Sequence, residues 1–348
     1  MKIIHITFSL PNAGKENMLV DIANEQFNNN NEVGIIVINN NVEKSIRERI
    51  LRGIKFFELN RSRASKSILP VIKLIILLRI KFRADVIHIH DPEIGKLIRP
   101  LCRAPVVLTV HNTNMDVRPM MNYSKIFAIS KTVKLDVESR SNLKCEVIYN
   151  GIKTKDIQKR DLFYAPDIYK IILVKRLDHK AKGQDLLVNA LNLLIKKKGI
   201  KNIRLDFVGE GNSRDFIQRL IDEFNLQEHI FLLGNKSREW VYENLHRYDL
   251  FVHPSRIEGF GLTVVEAMAA KVPVIASDIE GPAEILAYGK HGIIFENDNY
   301  EDLALQIENA MRLYENGEIV KLIESAYNHC IINFDINRTA REYCDSYL

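Results

Sequence analysis

Cysteine is scarce and scattered. The 348 residues hold four, Cys102, Cys145, Cys330 and Cys344, with no Cys-x-x-Cys pair among them. That excludes a disulfide-stapled secreted scaffold and points to a reducing cytoplasm. Long apolar runs are also missing: no stretch reaches the roughly 18 uninterrupted apolar residues that span a bilayer. The amino terminus, Met-Lys-Ile-Ile-His-Ile-Thr-Phe, has no basic segment followed by a long apolar core, so it reads as a first strand and not as a signal peptide. No Asp-x-Asp pair occurs, which removes a common carboxylate clamp for a divalent metal on a diphosphate. His88, His90 and His111 lack Cys, Asp or Glu partners at ligand spacing, so neither a metal nor a cofactor is expected. A nucleic-acid partner is not expected either.

Two phosphate-loop patterns fall short. Val208-Gly-Glu-Gly-Asn-Ser-Arg214 has arginine where a dinucleotide fingerprint needs its third glycine. Ser9-Leu-Pro-Asn-Ala-Gly-Lys15 starts with serine where a Walker A loop has glycine and is followed by Glu16 where Ser or Thr would hold Mg²⁺. Its position between a strand and a helix still suits a loop hinged at Gly14 that faces a ligand.

What is present is a globular chain, 46% hydrophobic and 27% charged, long enough for two domains. Strand-like runs alternate with helical ones. In the first half strands are expected at 2–7, 33–38, 86–90, 106–110, 125–128 and 146–149, with helices around 18–28, 67–82 and 131–139. In the second half strands are expected at 171–175, 204–208, 230–233, 249–252, 272–277 and 292–295, with helices at 184–198, 213–225, 237–248 and 300–314. This alternation predicts two doubly wound parallel sheets. Periodicity lapses from Asn150-Gly151 to Asp167, which places domains at 1–163 and 164–330 and leaves a helical segment, 331–348. Charge is uneven: between Lys44 and Arg83 twelve Lys or Arg face two Glu, in a chain of net charge +5. With the apolar, basic stretch 67–83, this half is a candidate for an anionic membrane surface.

The chemistry concentrates between His253 and Glu266, His-Pro-Ser-Arg-Ile-Glu-Gly-Phe-Gly-Leu-Thr-Val-Val-Glu. A glycine-bearing loop runs from a buried strand into a helix, where unpaired amides and the helix dipole attract phosphate. Gly259 and Gly261 let backbone approach a ligand, while Glu258 and Glu266 suit hydroxyls better than phosphates. Arg176 ends one strand and Lys182 precedes the next helix, two cations suited to a diphosphate. His111 and His88 stand at strand ends, where open α/β sheets bind ligands.

Glu258-Gly-Phe-Gly-Leu-Thr-Val-Val-Glu266 resembles the Glu-x7-Glu motif of the retaining glycosyltransferases of family 4. Arg176 to Gly183 looks like that family's Gly-Arg-Leu…Lys-Gly motif, His88-Ile-His-Asp-Pro92 with Thr109-Val-His111 looks like its N-domain histidines, and Asn150-Gly151 matches its approach to the linker. The resemblance runs in order along the whole chain. It implies the GT-B fold, two Rossmann-like domains across a cleft, with 1–163 on the acceptor side, 164–330 binding the donor and 331–348 crossing back to the first domain. It assigns Arg176 and Lys182 to the donor diphosphate, Glu266 to ribose, and Glu258 with Gly259, Phe260 and Gly261 to the donor sugar. Leu262 and Thr263 would offer amides to the phosphates, Gly14 would lie near the diphosphate, and His111 beside the reacting sugar. Lys175 replaces the family's glycine before Arg176, and Asn12-Ala13-Gly14 replaces its glycine pair.

The activity this implies is metal-independent transfer of a hexose-type sugar, with retention, from a nucleotide-diphosphate donor. UDP is favoured over GDP, and the acceptor is a lipid-linked or polysaccharide-precursor glycan. The site is cytoplasmic, with peripheral attachment to the inner membrane face a candidate. Two other readings stand beside it: a non-catalytic GT-B partner subunit, and another sugar-nucleotide enzyme such as an epimerase.

Overall fold

The computed structural model describes residues 1–11, 13–62, 69–99 and 103–347. The chain forms two compact units, residues 1–152 with 334–348, and residues 153–333. These limits lie at 152/153 and 333/334, against the expected 163/164 and 330/331. In the first unit the described residues give a seven-stranded, wholly parallel sheet. Its strands are β1 (Lys2–Thr7), β2 (Glu32–Asn39), β3 (Lys55–Arg61), β4 (Val86–Ile89), β5 (Val106–Val110), β6 (Lys125–Ala128) and β7 (Glu146–Val147), in the order β3-β2-β1-β4-β5-β6-β7. Every residue of β4 and β5 is buried, as a parallel strand covered on both faces requires. Helix Gly14–Asn28 seals one face with Leu19, Val20 and Ala23 against Val33, Ile35 and Val37.

The chain rejoins this unit through a backbone clasp: Ile152 N–H donates to Phe334 O at 2.8 Å, and Ile336 N–H to Ile152 O at 2.9 Å. Gly151 is needed there, because a Cβ would come within 2.5 Å of Thr339 Oγ1 and 2.8 Å of Asp335 O. Asp335 then caps helix Ile336–Ser346 by accepting from Asn337 N–H, and the helix packs on helix Gly14–Asn28.

The second unit has a six-stranded parallel sheet among the described residues. Its strands are β8 (Tyr169–Val174), β9 (Ile203–Val208), β10 (Ile230–Leu232), β11 (Leu250–His253), β12 (Val274–Ser277) and β13 (Ile293–Phe295), in the order β10-β9-β8-β11-β12-β13. Leu187, Leu191 and Leu194 from one side chain row join Leu173, Leu205, Ile307 and Phe295 in a single core.

Three expectations change. The basic stretch after Lys44 contains an edge strand, β3, whose half-exposed pattern hides the usual alternation. Some of its cations are matched within the unit: Arg47 pairs with Glu58, Arg49 with Asp21 at 2.7 Å, and Lys55 with Glu32 at 2.6 Å. The expected helix over 67–82 is described from Leu69 and widens at Leu77–Lys81 into a π-type turn; Arg63, Lys66 and Ser67 lie outside the described residues, as do Asn12 and Cys102. Finally, Ile319–Asn333 is a 15-residue helix, although no element is expected between 314 and 331, and the expected segment 331–348 holds its end and a separate helix, Ile336–Ser346. Among the described residues no helix is long and apolar enough to cross a membrane.

Candidate functional site

Strand order reverses once in each sheet, between β1 and β4 in the first unit and between β8 and β11 in the second. Connections leave in opposite directions from such a point, so a crevice opens beyond the strands' carboxyl ends. Both candidate sites lie there. Lys175 and Arg176 follow β8 and Glu258 follows β11; Phe8 and Lys15 follow β1, and His90 and Asp91 follow β4.

In the second unit Glu258 sits between two ammonium groups. Its Oε2 accepts from Lys175 Nζ at 2.6 Å and from Lys182 Nζ at 3.2 Å. Lys182 also donates to Ile257 O at 3.0 Å. The three side chains are only 13–19% exposed, so these are charge-assisted bonds in a poorly hydrated place. Burial alone would raise the Glu258 carboxyl, but the basic groups around it, Lys175 first, hold it well below the usual carboxylate range. Burial likewise draws Lys175 down, against the pull of Glu258 and of Glu266. The carboxylate direction governs, because Glu258 faces two cations and its loss of charge would strand both. His253 Nε2 lies 3.8 Å from Glu258, yet complete burial keeps that imidazole neutral.

A latch brings Lys182 to Glu258. Arg256 grips Asp185 with two bonds of 2.9 Å and Asp298 with one of 2.7 Å, and donates to His179 O at 2.7 Å. Arg256 and Ile257 N–H both donate to Ala181 O. Gly183, with φ +65°, has Pro254 O only 1.9 Å from where a Cβ would stand, so only glycine lets the two loops meet. The expected cradle follows: Gly261, at φ +113°, opens helix Leu262–Ala269 without a side-chain cap, so its first amides are available to an anion. Thr263 Oγ1 is buried without a hydrogen-bond partner among the described residues. Glu266 is buried within that helix. Arg176, by contrast, is 69% exposed and paired with Asp178 at 2.9 Å.

The second glycine pair has a structural job. A Cβ on Gly209 would stand 2.0 Å from Lys175 O and one on Gly211 would stand 2.3 Å from Leu177 O. Gly209-Glu-Gly211 therefore seats the Lys175–Leu177 segment.

In the first unit Gly14 is exposed at the start of helix Gly14–Asn28. Beside it Lys15 Nζ meets Asp91 Oδ1 at 2.5 Å and Glu16 at 3.3 Å, while Asp91 Oδ2 accepts from Phe8 N–H and Thr7 Oγ1 at 2.9 Å. His111, just past β5, is buried, and burial together with the nearby Lys15 charge lowers it to about 3, so it is neutral. It is the outermost of a histidine chain: His111 Nε2 is 3.2 Å from His90 Nδ1, and His90 Nε2 is 3.1 Å from His5 Nδ1. His88 is not at a ligand-facing strand end as expected. It is wholly buried, bonded to Tyr347 and Thr109 at 2.7 Å, because the rings of Tyr343 and Tyr347 pack over it. His5, His88 and His90 are close enough to hold an ion, but all six ring nitrogens are already engaged in hydrogen bonds.

The fold thus brings Lys182, Glu258 and the helix start together in one unit, and Gly14 and His111 to the switch point of the other. The sequence reading missed Lys175 as a partner of Glu258, 83 residues away, and missed Lys15, Asp91 and His5. The departure from glycine at Lys175 was the signal available for the first; the histidine at alternating position 5 of a buried strand was a signal for the last.

Residues 154–329 match the family model described as "Glycosyl transferases group 1", and residues 13–156 match that described as "Glycosyltransferase Family 4". The chain belongs to the group 1 glycosyltransferases. An uncharacterised glycosyltransferase of Methanocaldococcus jannaschii is 30% identical over 69% of this chain and 68% of its own length. A Campylobacter jejuni N-acetylgalactosaminyltransferase whose name specifies a diphospho-undecaprenol substrate is 32% identical over 59% of this chain and 53% of its own. Among solved structures, an Anabaena protein in complex with UDP and glucose covers 99% of both chains at 19% identity with a TM-score of 0.81. The two parallel sheets of this group 1 glycosyltransferase are those of the GT-B fold.

Proposed function

We propose that this glycosyltransferase moves a sugar, with retention of configuration, from a nucleotide-diphosphate donor to a lipid-linked or polysaccharide-precursor acceptor. A UDP-sugar is the first choice of donor and a GDP-sugar the second. The observation that carries this is the Lys175–Glu258–Lys182 cluster beside the open start of helix Leu262–Ala269. Lys182 reaches the diphosphate from there, and Arg176, exposed beside β8, supplies a fork for it. Leu262 and Thr263 amides add to the charge stabilisation. Glu258, kept ionised by Lys175, accepts from donor-sugar hydroxyls together with the Gly259–Gly261 backbone, and Glu266 accepts from ribose hydroxyls. Breaking the anomeric bond puts negative charge on the leaving diphosphate, and fixed cations lower that barrier without a metal. The UDP in the Anabaena structure and the diphospho-undecaprenol in the Campylobacter enzyme's name support the two substrate classes. Slow hydrolysis of one donor from a panel of UDP-, GDP- and ADP-sugars tests the reading. No turnover and no thermal stabilisation by any of them would sink it, and stabilisation by NAD alone would favour an epimerase-type enzyme.

Membrane attachment has its own observation. Leu69, Ile72, Ile76 and Ile80 are exposed at helical spacing, with Lys73, Arg79 and Arg83 exposed nearby, a combination that suits an anionic bilayer surface. Ile76→Glu with Ile80→Glu should abolish sedimentation with phosphatidylglycerol vesicles; unchanged sedimentation rejects this face.

A further inference from the structure

We infer that Gln26, on helix Gly14–Asn28, sets the tautomer of His111 through His5 and His90. The residues form one uninterrupted hydrogen-bonded line. Gln26 Nε2 donates to the Tyr347 hydroxyl at 2.9 Å, which leaves Gln26 Oε1 facing His5 Nε2 at 2.7 Å. An amide oxygen only accepts, so His5 carries its proton on Nε2. In a neutral imidazole one nitrogen donates and the other accepts. His5 Nδ1 is therefore an acceptor, and His90 must donate to it from Nε2 at 3.1 Å. His90 Nδ1 is then an acceptor in turn, and His111 must donate to it from Nε2 at 3.2 Å. His111 Nδ1 is left with a lone pair.

Neutrality is what makes the line directional. Gln26 and His5 are wholly buried and His90 and His111 nearly so, and burial keeps the rings uncharged. Reversing one bond would set two donors or two acceptors face to face at the next, so the whole line must turn together. The same direction carries through the branch at Tyr347. Having accepted from Gln26, its hydroxyl donates to His88 Nδ1 at 2.7 Å, His88 Nε2 donates to Thr109 Oγ1 at 2.7 Å, and Thr109 donates to Tyr343 at 3.0 Å. Gln26 is thus a positioning residue: it touches no substrate but decides whether His111 offers an acceptor or a donor. The catalytic consequence rests on the reading that His111 lies beside the reacting sugar; the wiring does not.

Long-range ¹⁵N–¹H spectra of ring-labelled histidine test it in the full chain, with His111 assigned by its loss in His111→Asn. The wild type should show His5, His90 and His111 as Nε2–H tautomers. Gln26→Met, which removes the fixed acceptor, should give His111 a mixed-tautomer signal, and Gln26→Glu, which can still accept from His5, should keep it Nε2–H. Tyr347→Phe, a milder change that frees the amide to turn, should mix the tautomers too if Gln26→Met does not fold. Donor turnover should fall about three- to tenfold in the mixed variants and not in Gln26→Glu, the scale of one hydrogen bond. His111 found as Nδ1–H in the wild type, or unchanged in both Gln26→Met and Tyr347→Phe, overturns the wiring. Wild type that turns over no donor overturns the functional reading and leaves the spectra to decide the wiring alone.

Discussion

Two units built on the same parallel topology fill their switch points with different chemistry. The first places one ion pair there, Lys15 with Asp91, beside a line of neutral histidines joined ring to ring. The second places ions, one carboxylate shared by two lysines. The strand order dictates where each site opens and says nothing about its charge. A preorganised cationic cluster matches an anion, whereas an uncharged hydrogen-bonding surface matches hydroxyls. On the function proposed above, the diphosphate would go to the second unit and a sugar hydroxyl to the first.

The largest effect should come from removing the cation nearest the proposed leaving group. Lys182→Met is expected to cut donor turnover by about 10²- to 10³-fold, the scale for losing one electrostatic stabiliser, measured as initial hydrolysis rates. A change below threefold would remove Lys182 from the leaving-group side. Next, Lys175→Met takes the closest counter-ion from a largely buried carboxylate. It should lower unfolding free energy by about 3 kcal/mol in urea titrations, and Lys175→Met with Glu258→Gln should recover most of that. If the double variant is no better than the single one, the pair does not hold the loop.

Acid should separate the two units. The buried histidines of the first have lowered folded values, about 4 for His5 and about 3 for His111, against an ordinary 6.5. The unfolded chain binds protons there first, so stability present above pH 6.5 is lost as pH falls toward those folded values, at up to about 1.4 kcal/mol per pH unit for each ring. Glu258 is also held low, so its contribution is complete above its ordinary value near 4.5 and is lost only below it. The second unit has His253 as its fully buried ring, against four in the first. Between pH 7 and 5 each such ring contributes a loss of up to about 2 kcal/mol, so hydrogen exchange corrected for intrinsic rate should show β1, β4 and β5, with four rings, losing several-fold more protection than β8 and β11, with one. Equal losses would contradict the contrast. The smallest effect is Arg176→Ala: its side chain is exposed and tied to Asp178, so a rise of about three- to tenfold in donor KM with little change in kcat is expected.

Much of this architecture could be read from periodicity, because buried parallel strands such as β4 and β5 leave short apolar runs between helical ones. β3 escaped because an edge strand with Lys55 and Arg61 lacks that pattern, and the cations around it looked like a charged patch when Asp21, Glu32 and Glu58 in fact meet three of them. The Glu258 to Glu266 loop was readable because its glycines and helix start are contiguous. The Lys175 partnership and the Gln26–His5–His90–His111 line were not, since each joins residues from separate strands or helices. Periodicity reports which face a residue takes, not which distant side chain it meets.

The central claim is that the ionised cluster of the second unit recognises a nucleotide by its diphosphate. Calorimetric titration of UDP, GDP and the corresponding nucleosides into wild type and Lys182→Met tests it directly. One diphosphate should bind the wild type at least about tenfold more tightly than its nucleoside, about 1.4 kcal/mol, and most of that advantage should vanish in Lys182→Met. Neither diphosphate binding the wild type, or an advantage that survives the substitution intact, would contradict the account.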